Sequence, residues 1–443
     1  MTYLPIFIIT AFLVLLLWRS HLAFIFFIVC KMLLPPIVRI GSISMNTLMA
    51  VLLIVAATLD LIKNRKHYPK KQFKEITLPV IYLIVPLAII GVFANLGYSF
   101  QIKSLLQFFV TEISPYISLL VLIKTKKQLL SFINVLLISY CVISVYGIYT
   151  YVIKMNPLYT FFVANYTYGY EVEDYTGDGF GSIRGALTGA ASGNLSGPLP
   201  WGQESMLVAL FLIFNKYIKN KRLLILTIIL ASINVFLSGK RSCLTPLLIA
   251  FAYFLFIRRN VFTLKRILYI AGVALALFIT INLFPQLEKL NKNLTTSIFF
   301  WNDQLAEKQD VGGSSLEMRL DQFNYANNMI ADNPLFGLGY DWPSYYSKKN
   351  GEHPYMHGFE SIYLRTIVES GLIGLIVWTV FFVRFYRLTN NRTNHKESLV
   401  FHLCFILSCI LTGIQASMWI YMLLGGTLLL QERLVISKSE LTS

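Results

Sequence analysis

The residues best suited to chemistry lie in one polar stretch that runs into an apolar one, HPYMHGFESIYLRTIVESGLIGL. His353 and His357 stand four apart, Glu360 follows His357 by three, and Glu369 follows Arg365 by four. An imidazole titrates near neutral pH and can move a proton to or from a reacting hydroxyl. Two histidines at this spacing also resemble metal ligands, but Pro354 opposes a continuous helix from His353 and no cysteine is near in sequence. A helix starting near His357 would project His357, Ser361 and Arg365 from one face in successive turns. Arg365 and Glu369 are expected to pair and neutralise each other rather than to catalyse.

Four further cations could bind an anion. Arg319 sits in a polar segment, EMRLDQFNYANNMIADNPLFGLGY, whose spacing predicts a short helix from Leu316 to Ile330, stopped at Asn333-Pro334 and turned by Gly337 and Gly339. Lys240 and Arg241 lie in FLSGKRSCLTPLL, at the junction of two apolar runs with almost no loop between them. Arginine there can hold a lipid headgroup phosphate or clamp a diphosphate through its fork of donors. Arg184 is the only Lys or Arg in the glycine-dense RGALTGAASGNLSGPLPWGQES, where glycines allow close backbone approach to a ligand. No phosphate-cradling G-x-x-x-x-G-K-[ST] pattern occurs. Tyr340, with Trp342, Tyr345 and Tyr346, offers rings on which a sugar could stack.

The elements that must position these groups are membrane helices. The chain has 443 residues, 56% of them hydrophobic. Apolar runs fall at about 4–17, 22–34, 43–61, 76–96, 104–123, 129–153, 203–218, 223–238, 242–257, 267–284, 359–383, 398–416 and 418–431. The expected fold is therefore all-α and polytopic, with about 12–13 transmembrane helices. Its parts are N-terminal helices (1–153), a Gly-rich loop (154–202), central helices (203–284), a large loop carrying the site (285–358) and C-terminal helices (359–443). Met1 to Trp18 lacks a basic leader and a cleavage site, so it reads as a retained helix.

The net charge of +16 comes from short basic loops, such as Lys63 to Lys74 and Lys124 to Lys127. That is the pattern of cytoplasmic loops rather than of nucleic-acid binding. Both long loops then face outward, and the C-terminus faces the cytoplasm. The five cysteines all fall in apolar runs, which is neither a disulfide framework nor a set of spaced metal ligands.

From Ser182 to Leu375 the order of motifs resembles the O-antigen ligase and polymerase-like superfamily of bacterial membrane glycosyltransferases. The likeness rests on the arginine-and-glycine segment, SGKRS at the start of a span, an arginine opening an amphipathic segment, NPLFGLGY, and a histidine leading into YLRTIVESGLIGL. Family members often have asparagine after the histidine, where this chain has Gly358; His353 is the alternative. The resemblance implies a GT-C-like architecture in which an acceptor hydroxyl attacks a saccharide carried on undecaprenyl diphosphate, with no cofactor or metal.

By position, His357 would be the base, Arg241 and Arg319 the diphosphate contacts, and Arg184 and Lys240 weaker contributors. Glu360, Arg365 and Tyr340 are further candidates. The absence of D-x-D, and of any carboxylate in the short loop PPIVRIGS, fits that economy. The implied partners are a lipid-linked donor and acceptor, the bilayer and a chain-length regulator. Three functions stay open: a polymerase of capsule, O-antigen or exopolysaccharide, a ligase of finished polymer to a lipid or protein, and a flippase of lipid-linked saccharide. Charges spread through many spans would favour the last.

Overall fold

The structure, a computed structural model, describes residues 3–153, 155–166, 193, 198–215, 218, 220–254, 316–351, 361–390, 395–412 and 417–436. It is all-helical apart from a two-residue hairpin, Arg39–Ile40 against Ile43–Ser44. Every apolar run expected from the sequence contains a helix among the described residues except 267–284, which lies outside them. Among those described, Met45–Lys63, Lys70–Phe93, Tyr98–Leu122, Lys126–Ile153 and Ile362–Thr389 are long and apolar enough to cross a membrane. Shorter apolar helices, including Tyr3–Trp18, Ser20–Leu33 and Leu199–Phe214, pack among them. The helix Met418–Gln431 is apolar all round and buried along nearly its whole length, so it forms the centre of the bundle.

Two of the long helices carry the same local defect for the same reason. Proline has no N–H to give the carbonyl four residues back. Ahead of Pro86, Val80–Ile84 widens into a π turn, and ahead of Pro115, Phe109–Ile113 does the same. In the second case the Ser114 N–H reaches back five residues to the Phe109 carbonyl. The Thr111 carbonyl, which residue 115 would have served, instead accepts from the Lys31 ammonium at 2.8 Å. A lone backbone acceptor inside a membrane is costly, so this lysine answers a vacancy created by proline.

The two ends of the bundle differ in chemistry. At one end Lys124 pairs with Asp60 at 2.7 Å, Tyr68 donates to Asp60 at 2.6 Å, and Arg433 pairs with Glu75. These contacts gather the basic connections after Met45–Lys63 and Tyr98–Leu122 with the C-terminal end of the central helix. The opposite end carries the turn at 94–97, the SGKRS turn, the NPLFGLGY segment and the start of Ile362–Thr389.

Candidate active site

The NPLFGLGY segment and the helix Ile362–Thr389 are built as one unit. The helix is interrupted at Gly371, which adopts φ 62° and ψ −162°. Such a break strands carbonyls before it and N–H groups after it. The loop supplies both kinds of partner. Leu338 N–H donates to the Val368 carbonyl at 2.7 Å and Gly339 N–H to that of Glu369 at 3.0 Å. In return Leu372 N–H donates to the Pro334 carbonyl at 3.0 Å and Ile373 N–H to that of Leu335 at 3.2 Å.

Only glycine permits this approach. A Cβ on Gly337, at φ +70°, would sit 2.7 Å from the Gly371 nitrogen, and one on Gly371 would strike the Leu335 carbonyl. The break is a feature that the sequence reading lacked. The predicted turning role of Gly337 and Gly339 is present, with a partner attached.

Other contacts fix the loop from its far side. Gln101 is 2% exposed, donates to the carbonyls of Gly91 and Leu96, and accepts from the Tyr340 N–H at 3.0 Å. Asn333 donates to the Phe93 carbonyl at 3.0 Å. The helix Leu316–Met329 lies against the first half of Ile362–Thr389 through Ala326, Met329, Ile330, Val368 and Leu364.

This frame holds Arg365. Its Nε donates to Glu369 at 2.7 Å, and one terminal nitrogen reaches Asp341 at 3.5 Å. Glu369 is 2% exposed and also accepts from the Asp341 N–H. Asp341 is the one described non-glycine residue at positive φ, 63°. That strained turn points its carboxylate at Arg365 while Ser344 donates to it at 2.6 Å. The expected i,i+4 pair is therefore a triad. Burial pushes the Tyr340 hydroxyl well above its ordinary value, so it stays protonated. Beside the triad lies a cleft of about 280 Å³ lined by Ser104, Gln107, Phe108, Thr111, Glu112, Tyr340, Asp341, Ser344 and Arg365.

A second charged group, which the sequence reading missed, lies behind the cleft. Trp419 gives its backbone N–H to Glu112 and its indole N–H to Glu204, both at 2.9 Å. The Lys31 ammonium lies over the Trp419 ring, 4.8 Å from its centroid, between the fields of both carboxylates. Lys31 and Glu112 are each the single charge of an apolar run and Glu204 is the single acid of its own, so only their convergence marks them as functional candidates. They form one closed cluster rather than a path across the bundle.

Glu204 leads on to the SGKRS turn. Gln203 donates to Ser408 at 3.0 Å, Ser408 also meets Cys243, and Gly202 packs against Ser238 and Cys243. Cys409 lies within electrostatic reach of both Cys243 and Tyr363. The helix that begins at Arg241 and the helix that begins at Ile362 therefore start at the same end of the bundle.

The expected site residues are distributed as follows. Lys240 precedes the helix Arg241–Ala252, whose first residue is Arg241, after a tight turn at Gly239 with φ +65°. Arg319 is in the first turn of Leu316–Met329, three residues before buried Gln322. Tyr340 and Arg365 line the cleft. His353, His357, Glu360 and Arg184 lie outside the described residues. One expectation is corrected: Ser361 is not on the helix with Arg365. Ser361 is extended at φ −154° and its side chain accepts from Tyr363 N–H, so the helix starts at Ile362. A serine oxygen that caps the first turn sets that boundary.

Charged groups collected at one end of a helical bundle, around a broken helix and its glycine clamp, define a multi-pass membrane protein with a site at that end. Residues 206–379 match the O-antigen ligase family model, so this segment of the chain is similar to that family. The matched segment contains the SGKRS turn, the clamp and the break at Gly371. The likeness of that segment points toward ligase- or polymerase-type sugar transfer in polysaccharide biosynthesis. No curated protein matches the chain.

Proposed function

We propose that the protein polymerises oligosaccharide repeat units carried on undecaprenyl diphosphate, at the outer face of a bacterial cytoplasmic membrane. The observation that supports this reading is that three parts of the matched segment, the SGKRS turn, the NPLFGLGY clamp and the start of Ile362–Thr389, lie toward one end of the bundle. The opposite end carries Lys63 to Lys74 and Lys124 to Lys127, which retain it in the cytoplasm and put the site outside.

His357, just ahead of Ile362, takes the proton from the attacking acceptor hydroxyl. Arg241 and Arg319 stabilise the departing diphosphate, with Lys240 and Arg184 adding charge nearby. Arginine supplies this stabilisation without a metal. In the acid-base step the acceptor oxygen bonds to the anomeric carbon while the bond from that carbon to the diphosphate breaks.

In proteoliposomes given lipid-linked repeat units, His357→Ala and Arg319→Ala each abolish chain growth while the protein still elutes as a folded species. Unchanged polymer length in both variants overturns the assignment. The family match favours one second reading, ligation of finished polymer to a lipid or protein acceptor. Offering purified protein either a single repeat unit or the final acceptor separates the two.

A further inference from the structure

The cleft beside Arg365 differs from the cationic turns in its charge. Its lining brings together two carboxylates, Glu112 and Asp341, one guanidinium, Arg365, the hydroxyls of Ser104, Thr111 and Ser344, the Gln107 amide and the rings of Phe108 and Tyr340. A diphosphate would meet two carboxylates here with one arginine already shared between Glu369 and Asp341. A neutral ring bearing several hydroxyls finds acceptors, donors and an aromatic wall. The volume, about 280 Å³, is at the small end of ligand sites. It suits a terminal sugar rather than a whole oligosaccharide.

The backbone is arranged to present Glu112. The π turn ahead of Pro115 carries it, and π turns inside helices often mark functional sites. The Trp419 N–H holds Glu112 Oε2 at 2.9 Å, and Lys31 fixes the Thr111 carbonyl from the far side of the turn. Asp341, across the cleft, is held at φ 63° by Ser344 and the start of Trp342–Asn350. Two irregular backbone positions, a π turn and a left-handed N-cap, thus face one small polar cavity. Arg365 uses its Nε and one terminal nitrogen on carboxylates, and the residue lines the cleft with further donors in its fork.

We propose that this cleft is a saccharide subsite, distinct from the diphosphate contacts, that holds the terminal sugar of the acceptor chain by its hydroxyls, with Glu112 accepting from one hydroxyl and Arg365 donating to another. It rests on the polymerase reading for the word acceptor, but not for sugar binding itself. Glu112 is a positioning and specificity group: it orients the ring so that one hydroxyl is delivered to the reacting centre.

The test uses the full chain in lipid nanodiscs. The probe is the free repeat-unit oligosaccharide, released by mild acid from the lipid-linked intermediate of the cells that make the protein. Binding is read by calorimetry, with inorganic pyrophosphate as competitor. The expected result is binding that pyrophosphate does not displace and that weakens about tenfold or more in Glu112→Gln, as for loss of a hydrogen bond to a charged group.

In the polymerisation assay the same variant raises KM for acceptor and leaves KM for the lipid-linked donor unchanged. Gln107→Trp, which fills the cleft from its exposed rim without touching the buried cluster, gives the same pattern and covers the case in which Glu112→Gln misfolds. Absence of oligosaccharide binding to the wild type, displacement by pyrophosphate, or equal binding by wild type and Gln107→Trp overturns the proposal. Failure of the polymerase reading shows differently: the wild type adds no repeat units in the polymerisation assay, while oligosaccharide binding and its dependence on the cleft persist.

Discussion

The two ends of this bundle both contain acid–base pairs, yet the pair made by Lys124 and the pair made by Arg365 sit in different surroundings. At the basic end Lys124 is 48% exposed and its partner Asp60 23%, so water shares the work of solvating both. At the site end Glu369 is 2% exposed, and its guanidinium partner is held between two carboxylates. Bases outnumber acids along the loops of the first end, whereas carboxylates outnumber the arginine around the cleft of the second. The difference separates two settings of charge: one end sets the Lys124 pair among basic loops, and the other holds a preformed polar surface where helices break.

The largest expected effect is on the clamp that makes this second surface possible. Gly337→Val or Gly371→Val adds backbone strain of about 1–3 kcal/mol. It also parts up to four hydrogen bonds worth about 1 kcal/mol each. A loss on the order of 5 kcal/mol is expected, read as a large fall in thermal midpoint by fluorescence-detected size exclusion. Gly351→Val is the control, because it shares positive φ (+76°) while an added Cβ meets nothing within 4 Å. Equal losses in all three would mean that crowding between loop and broken helix contributes nothing.

Next in size is the Arg365 pair. Arg365→Leu leaves Glu369 buried without its guanidinium, at a cost of about 3–5 kcal/mol. The double variant Arg365→Met with Glu369→Leu removes both charges, and most of the stability returns. If Arg365 only neutralises Glu369, chain growth returns with the fold. If it also meets substrate, the double variant is stable and inactive. Proteoliposome activity measured beside the melting curve distinguishes these outcomes.

The sequence carried most of the architecture because membrane helices announce themselves by length and hydropathy. It also carried the stop of Leu316–Met329 at Asn333-Pro334 and the Arg365–Glu369 pair, since both depend on local spacing. Gly371 was hidden. ESGLIGL is apolar and helix-compatible, and its break exists only because a distant loop offers the carbonyls of Pro334 and Leu335. Lys31, Glu112 and Glu204 were hidden for another reason: an isolated charge in an apolar run hardly alters its hydropathy, and their meaning lies in a meeting across three helices. Ser361 was misassigned because a serine one residue before a helix can cap it as well as join it.

The smallest effect belongs to the basic end, where the comparison is most easily broken. Lys124→Ala removes a 2.7 Å contact to Asp60, but Tyr68 and Asn64 still donate to that carboxylate. Exposure of both partners and the screening that follows limit the loss to about 1 kcal/mol or less. The expected thermal midpoint is therefore close to that of the wild type, with the small difference shrinking further in high salt. Lys124→Ala also leaves the many other basic residues of these loops in place, so orientation holds, as cysteine labelling from either side of the membrane can read. A loss as large as that of Arg365→Leu would show that Asp60 is in effect as dry as Glu369. The contrast between the basic end and the end that carries the cleft would then rest on sequence charge alone.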